Sequence, residues 1–300
     1  MSNGLLDLSA APNPSNVFSP AMEVAAYECL WLKFHTEAKL ARIFEKHGHE
    51  RPYFVAQREG VSSNDLRLAF QKLTATMPFD QFSALFHRDF DYPQPLRDAR
   101  NPLEILYYSG NIDLLSSKSV AVVGARKATE DGKRRANRIA RILVRHGITV
   151  MSGLAAGIDA AAHAGAIEAK GETIAVIGTP LNESYPKENA QLQKLISSQF
   201  LLVSHVPFLY YGQHDWVINR RYFPERNKIM SALSRATIIV EASESSGSLI
   251  QAKAALEQGR KLLILKSCFE RGLPWPKKFQ QLGAIRIDTE DDLLRAIKDL

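Results

Sequence analysis

The sequence predicts an α/β protein with a doubly wound, mostly parallel Rossmann-like sheet, preceded by a small all-α domain. From residue 119 onward, short apolar runs alternate with helical patterns, which is the rhythm of βαβ units. Continuous β-rich runs such as Val120–Val123 and Thr237–Val240 are typical of parallel strands buried on both faces. Four strand-to-helix junctions consist of small residues, and such junctions meet at the carboxyl edge of an open sheet, where ligands bind.

The chain divides into four predicted parts. Residues 1–20 are rich in Ser, Asn, Pro and Ala and are expected to form a flexible arm. Residues 21–88 carry apolar side chains at helical spacing without a strand signal, which predicts a small helical domain. Prolines interrupt residues 89–118, a predicted connector whose Leu103–Tyr108 run is either a short strand or a packed extended segment. The Rossmann-like domain is predicted to occupy residues 119–300.

Within this last domain the alternation defines each element. Strands are predicted at 120–124, 149–153, 173–178, 201–205, 236–241, 261–265 and 284–287. Helices are predicted at 131–146, 157–170, 187–198, 225–234, 248–258 and 289–299.

Composition limits the function. A net charge of +6 and a pI of about 9.2 fit a polyanionic partner. The two cysteines, Cys29 and Cys268, match no metal-binding spacing and are expected to be structural thiols in a reducing cytosol. The N-terminus lacks a signal-peptide pattern and no apolar run reaches the length of a membrane span, which predicts a cytoplasmic protein with no membrane partner. Neither a dinucleotide fingerprint nor a P-loop occurs, so no cofactor is expected.

The first junction places two cations where a ligand is expected. Gly124 lets the chain leave its strand sharply, and Arg126 and Lys127 follow at the ligand edge of the sheet. Both residues are therefore predicted to contact an anion. The arginines further along the next helix are interpreted as a solvent-facing charged surface.

The second junction is a tight turn that continues into an alanine-rich helix. Asp159 and His163 lie four residues apart on that helix, and we expect a hydrogen bond between them rather than a metal site, because no third ligand is apparent. In the last junction, Ser246, Gly247 and Ser248 can present backbone N–H groups and hydroxyls to a phosphate.

Residues 219–228 combine cations with aromatic side chains. We expect Pro224 to open a helix, so that Arg226, Asn227 and Lys228 lie in its first turn, where cations are unfavourable unless an anion joins them. Aromatic rings beside cations suit a single nucleic-acid strand, although Phe223 has the alternative role of a core anchor. At the end of a strand, Glu241 is expected to form a salt bridge with Arg226.

These segments, in this order, resemble the DNA-processing protein A family, also called Smf. The matching motifs read Gly124–Arg126, Ser152–His163, Thr173–Asn189, Phe223–Ser234 and Val240–Arg260, and the likeness covers roughly residues 90–288. The chain ends one helix after its last predicted strand, so the C-terminal winged-helix-like domain of many members is expected to be absent.

The resemblance implies a protein that is not an enzyme and that binds single-stranded DNA. It further implies protection of the strand, loading of a RecA-type recombinase in natural transformation or recombination, and a homodimer. The strand-contacting residues that it implies are Arg126, Ser152, Gly153, Phe223, Arg226, Asn227, Ser246, Gly247 and Ser248, to which charge and position add Lys127 and Lys228. The chain departs from the family pattern in a longer, more aromatic loop at Phe208–Asn219 and in Ala156, where many members have a basic residue.

Two alternatives use the same surface. Related Rossmann-like proteins include nucleotide sensors and phosphoribohydrolases, and here Glu241 or Glu257 would assist cleavage of a mononucleotide. This chain has a Ser-Ser-Gly-Ser turn where those enzymes carry a glycine-rich PGGxGT turn. The second alternative is a scaffold whose aromatic loop, residues 208–223, contacts a protein partner.

Overall fold

The computed structural model describes residues 19–300, and the predicted arm at 1–20 lies outside them except for its last two residues. A nine-stranded sheet runs through the molecule in the order β1-β2-β6-β5-β4-β3-β7-β8-β9. The strands are β1 Ser83–Phe86, β2 Ile105–Gly110, β3 Ser119–Gly124, β4 Thr149–Ser152, β5 Thr173–Ile177, β6 Leu201–Ser204, β7 Ala236–Glu241, β8 Lys261–Leu265 and β9 Ile285–Ile287.

Helices cover both faces of this sheet. They are α1 Pro20–Phe34, α2 Glu37–Lys46, α3 Pro52–Arg58, α4 Ser63–Thr76, α5 Gln94–Arg97, α6 Glu130–Arg145, α7 Ile158–Glu168, α8 Ala190–Gln199, α9 Phe208–Gly212, α10 Trp216–Asn219, α11 Tyr222–Leu233, α12 Ser248–Glu257, α13 Lys266–Glu270, α14 Pro274–Gln281 and α15 Glu290–Ile297. Two short 3₁₀ turns lie at Ile112–Ser116 and Lys187–Asn189. Among the helices of residues 19–300, none is both long enough and apolar enough to cross a membrane.

The predicted fold class is confirmed. Strands β3 to β9 pair in parallel, and the chain order reverses where β3 lies beside β7. Successive residues of β3 serve opposite faces: Val120 and Val122 pack with α6, α7 and α15, whereas Ala121 and Val123 pack with α11 and α12. Each strand predicted in this part lies within one residue of its observed bounds.

An antiparallel hairpin extends the parallel sheet at one edge. Strand β2 pairs antiparallel with both β1 and β6, so the Leu103–Tyr108 run is a strand rather than an unpaired segment. Strand β1 lies within the part predicted to be helical. Phe79, Phe82 and Phe86 have helical spacing, but pairing with β2 determines the conformation of the last of these residues.

The helical segment α1–α4 shares a hydrophobic core with the sheet. Trp31 of α1 contacts the rings of Tyr210 and Tyr222, at centroid distances of 5.6 and 6.0 Å. The buried Glu28 carboxylate, also on α1, accepts hydrogen bonds from the backbone N–H groups of Phe208 and Leu209, at 2.9 Å each. A carboxylate of α1 thus occupies the N-terminus of α9, where unpaired N–H groups need acceptors. The division of the chain into domains at residues 21–88, 89–118 and 119–300 stays a prediction.

Both cysteines are free thiols inside the protein. Burial raises the pKa of each thiol to about 12, so both remain protonated at neutral pH. This agrees with the structural role expected from the sequence.

Candidate functional site

A pocket opens at the carboxyl edge of the sheet, where the chain leaves β3, β4 and β5. Its volume is about 120 Å³. Loops after these three strands form most of its wall, and the first turns of α11 close one side. The lining residues are Arg126, Gly153, Ala155, Ala156, Gly178, Tyr185, Pro186, Phe223 and Arg226. Within the described part of the chain, the pocket residues include no cluster of metal-ligating side chains.

Arg126 is an exposed cation at this pocket. Its guanidinium carbon lies 5.2 Å from the centre of the Phe223 ring and 5.9 Å from that of Tyr185. It makes no ion pair with another residue of 19–300. A guanidinium held against ring faces keeps its N–H donors available to an anion from solvent.

Arg226 approaches the same pocket from inside the protein and is only 4% exposed. Its Nη1 donates to the carbonyl oxygens of Gly153 and Val176, and its Nε donates to Asn227 Oδ1 at 2.9 Å. Burial lowers the pKa of Arg226 to about 10, and the nearby Asp159 carboxylate partly opposes this effect. The guanidinium therefore remains charged at neutral pH, close to the pocket and fixed in position.

Glycine at position 153 is required by this arrangement. A Cβ there would clash with Arg226 Nη1 and lie 2.7 Å from Asp159 Oδ2. Gly153 N–H also donates to that carboxylate, at 3.2 Å. Burial raises the pKa of Asp159, whereas the charge of Arg226 and backbone N–H donors lower it. Asp159 thus compensates the buried arginine from beneath the pocket.

The turn predicted to hold phosphate lies next to Arg226 rather than in the pocket wall. Asn227 connects the two, because its Nδ2 donates to Gly247 O at 3.0 Å. Gly247 is exposed, Ser246 is half-buried, and Ser248 is buried. Of these three residues, Gly247 offers the most open approach to a ligand.

Three other predicted contacts lie outside the pocket wall. Ser152 is buried, and its hydroxyl donates to Val122 O at 2.7 Å, so its hydroxyl proton is already used within the sheet. Lys127 is exposed beside Arg126. Lys228 is exposed and forms an ion pair with Glu225 at 2.8 Å. The structure thus brings Arg126, Gly153, Phe223 and Arg226 together, and their contact with a ligand stays a prediction.

An aromatic cluster beside the pocket adds two residues that the sequence reasoning did not single out. Tyr185 lies 4.7 Å from Trp216 and 5.4 Å from Phe223, and Trp216 lies 5.5 Å from Phe223, between ring centres. Trp216 is 45% exposed and Tyr185 36%. Tyr185 belongs to the Thr173–Asn189 motif, and Trp216 belongs to the aromatic loop at Phe208–Asn219. Nothing in the sequence indicated that these two segments meet.

Two expected interactions are wrong. Glu241 does not pair with Arg226. It forms an ion pair with Arg271 at 3.1 Å and accepts hydrogen bonds from Thr129, the N-cap residue of α6. The carboxylate turns toward the start of that helix because unpaired N–H groups and the helix dipole attract it.

Asp159 does not bond to His163 either. The carboxylate faces Gly153 and the charge of Arg226. His163 Nδ1 instead lies 2.7 Å from Thr173 Oγ1 on the neighbouring strand. Burial, the larger cause, and the charge of Arg226 lower the pKa of His163 to about 3, so the imidazole is neutral at physiological pH.

The chain is similar in sequence to known DNA-processing proteins. The family model described as DNA recombination-mediator protein A matches residues 83–298. Protein Smf of Synechocystis is 41% identical over 181 residues, which cover 59% of this chain and 44% of that protein. The match therefore spans less than half of the Synechocystis protein. DNA processing protein DprA of Bacillus subtilis is 36% identical over 210 residues, which cover 69% of each chain.

Two solved structures resemble the whole arrangement. The X-ray structure of DNA processing protein A from Streptococcus pneumoniae has a TM-score of 0.69 and 28% identity, covering 90% of this chain and 97% of that one. DNA processing protein A from Helicobacter pylori, whose structure addresses its single-stranded DNA binding mode, has a TM-score of 0.62 and 25% identity. That match covers 73% of this chain and 96% of the Helicobacter chain.

Proposed function

Because the chain belongs to the DNA recombination-mediator protein A family, we propose that it binds single-stranded DNA, without catalysis, at the Arg126 pocket and the adjoining aromatic cluster. The observation that carries this proposal is the position of Arg126, an exposed cation over the rings of Tyr185 and Phe223 at the pocket. Phosphate and base can therefore be bound side by side. A single strand exposes both groups, whereas a duplex hides the faces of its bases.

The pocket suits one phosphate group. Arg126 supplies an accessible charge, and Arg226 supplies a second, buried charge close to it. Helix α7 begins directly after Gly157, so the positive end of its dipole lies next to Ala155 and Ala156 in the pocket wall. These features all favour a negative charge at the same place.

The aromatic cluster suits the bases. Tyr185, Trp216 and Phe223 lie within 5.5 Å of one another between ring centres, and the first two are partly open to solvent. Stacking on such rings tolerates every base, because each base has a π face. Binding is therefore expected to be nearly independent of sequence.

The enzymatic alternative has less support. A pocket of about 120 Å³ is small beside the roughly 300–1,000 Å³ of typical ligand sites. Glu241, one proposed catalytic carboxylate, is buried and engaged by Arg271 and Thr129. Glu257, the other, forms an ion pair with Lys253 at 3.6 Å. Steady release of free base from nucleoside monophosphates would nevertheless establish the enzyme.

The cellular role extends this proposal. From membership of this family we propose DNA processing in natural transformation or recombination, with protection of the strand and its delivery to a RecA-type recombinase. We also propose a homodimer and a cytoplasmic location. These statements depend on the relatives and not on the pocket.

The test compares a labelled oligothymidine, the same strand in duplex form and free dTMP, by fluorescence anisotropy and competition at several salt concentrations. We expect single strand to bind best and Arg126→Ala to weaken binding to every oligonucleotide alike. Arg138→Ala is the matched control, because it removes the same charge from α6, where Arg138 is paired with Glu290 at 3.0 Å. Equal affinity of wild type and Arg126→Ala, or preference for free dTMP, would overturn the proposal.

A further inference from the structure

A second cluster of chemically active side chains lies away from the Arg126 pocket, between the helical segment and the antiparallel hairpin. His49 lies between α2 and α3, His87 follows β1, and Glu104 directly precedes β2. All three line one cleft. Neither the family motifs nor the proposed DNA contacts involve these residues.

Their ligand atoms converge. One nitrogen of each histidine and one Glu104 oxygen all lie within 4.8 Å of one another, and His49 Nδ1 is 2.6 Å from Glu104 Oε1. The imidazole rings are stacked, with centres 4.4 Å apart and planes inclined by 15°. His87 Nδ1 is buried and has no hydrogen-bond partner among residues 19–300. An unpaired buried nitrogen is costly unless something binds it.

Glu104 lies deep in the cluster. Its side chain is 3% exposed and is hydrogen-bonded to His49 Nδ1. A buried carboxylate gains from a cation at bonding distance.

The arginines around the cluster are already engaged. Arg88 donates to the carbonyl oxygens of His49 and Gly48, at 2.7 Å each. Arg97 donates to the carbonyl oxygen of His87 at 3.1 Å. Both guanidinium groups therefore fix the backbone that carries the histidines.

We propose that His49, His87 and Glu104 form a binding site for a divalent transition metal of the zinc class. Two imidazoles and one carboxylate are a donor set that Zn²⁺ accepts, with water in the fourth position. Mg²⁺ and Ca²⁺ prefer oxygen ligands and are excluded by the two nitrogens. Zinc ligand atoms lie about 3.4 Å apart at bond lengths near 2.0–2.1 Å, so the hydrogen bond between His49 Nδ1 and Glu104 Oε1, at 2.6 Å, has to open when both atoms bind the ion. A bound ion would join the helical segment to the hairpin.

The test uses the whole chain, freed of any polyhistidine tag and of metal, titrated with ZnCl₂ by calorimetry. We expect one saturable equivalent of Zn²⁺, a higher melting temperature with the metal, and no comparable response to MgCl₂. His87→Ala should lower zinc affinity by at least the roughly 10–100-fold that loss of even an outer-shell partner causes. Glu104→Gln, which keeps the side-chain volume, should also weaken binding.

His146→Ala is the matched control, because it removes an exposed histidine outside the cluster and should leave zinc affinity unchanged. Circular dichroism and DNA affinity report whether each variant is folded. Absence of zinc uptake by the wild type would contradict the site, and so would equal zinc affinity in the wild type and a folded His87→Ala or Glu104→Gln variant. Equal losses in His87→Ala and His146→Ala would show nonspecific histidine binding and also reject the site.

Discussion

Arg226 determines the shape of the pocket from a buried position. It donates hydrogen bonds to Gly153 and Val176, and the Asp159 carboxylate balances its charge. Truncating one partner of such a buried charge network leaves the other group unpaired, which is costlier than losing a surface pair. Arg226 therefore positions the pocket wall as well as contributing charge, whereas Arg126 contributes mainly an accessible charge.

Gly153→Ala tests this packing directly. The new Cβ would clash with Arg226 Nη1 and lie 2.5 Å from its Cζ, so the guanidinium has to move. We expect a loss of about 1–3 kcal/mol in the free energy of unfolding, together with weaker DNA binding. Urea unfolding measures the first effect. Gly212→Ala is the control, since a Cβ there meets no atom within 4 Å, and equal stabilities of the two variants would contradict the argument.

His163 makes stability depend on pH. Its pKa is lowered to about 3 in the folded protein, against an ordinary value of 6.5, so only the unfolded chain binds a proton between these values. The free energy of unfolding should therefore fall as pH falls through this window, by about 1.4 kcal/mol per pH unit for one proton. This contribution is fully present above about pH 6.5.

His163→Asn should remove that contribution. Its free energy of unfolding, measured with urea between about pH 4.5 and 6.5, should change less steeply with pH than that of the wild type. The difference between the two slopes should correspond to roughly one bound proton. The pKa values of buried Glu28 and Glu104 are raised to about 7, so these two groups make the free energy of unfolding rise as pH falls. They do so equally in both proteins, and their effect cancels in the comparison. Parallel curves would refute the assignment.

Individual contacts were harder to predict than the position of the site. The sequence indicated that Arg126, Gly153, Phe223 and Arg226 belong to one edge, because strand ends of a parallel sheet meet there. Two carboxylates, Glu241 and Asp159, lie near this edge. The sequence did not show which of them lies near Arg226, and the structure shows that it is Asp159, whereas Glu241 pairs with Arg271.

At the scale of elements, the short helix α10 is what brings the aromatic cluster together. Asn219 at its end donates to the carbonyl oxygens of Tyr211 and His214, at 3.0 and 2.9 Å, and so holds α10 against α9. Trp216 is thereby placed beside Tyr185, which comes from a different loop. Helix patterns of four residues are too short to recognise in a sequence, which explains why α10 was not predicted.

Trp216→Ala should reduce the affinity for single-stranded DNA by about 5- to 150-fold, the effect of about 1–3 kcal/mol for one stacked base. The dependence of binding on salt should stay unchanged, because no phosphate contact is lost. Anisotropy titrations across salt separate the two effects. Phe90→Ala, at an aromatic residue that is 98% exposed and lies outside the cluster, should bind as the wild type does. A variant with reduced salt dependence would show that Trp216 acts through charge instead.

The strands of the parallel sheet were predictable because, unlike the four-residue helix α10, most of them have a recognisable sequence pattern. Most of them are apolar runs buried on both faces, and the predicted bounds agree within one residue. Strand β9 differs, since Ile285 and Arg286 are exposed. Strand β1 was missed because residues 83–86 have no alternating pattern of their own, and their conformation depends on pairing with β2.

For the molecule as a whole, most of the basic side chains of α6 already have acidic partners at the surface. Their side chains pair with acidic groups: Lys133 with Glu130, Arg134 with Asp131, Arg138 and Arg145 with Glu290, and Arg141 with Glu168. The net charge of +6 is therefore not a measure of the number of phosphates that a strand can contact. The free cations at the site are few.

We therefore expect a shallow salt dependence for single-stranded DNA. Arg126, Lys127 and Arg226 correspond to two or three neutralised phosphates, which gives a slope of log affinity against log salt of about −1.4 to −2.1 per chain. Titrations over a range of salt concentrations measure this slope. A value near −4 or steeper would mean that the strand also follows α6, and the charge-removing variant Arg134→Ala would then reduce it.

Glu28 and Trp31 of α1, with His35 directly after it, affect how this protein can be divided. They hold the N-terminus of α9, the ring of Tyr222 and the side chain of Arg221, which donates to His35 O at 2.9 Å. The stretch that identifies the family begins only at residue 83 and contains none of these three supports. Chimeras that exchange N-terminal segments between relatives would therefore inherit mismatched contacts behind the aromatic loop.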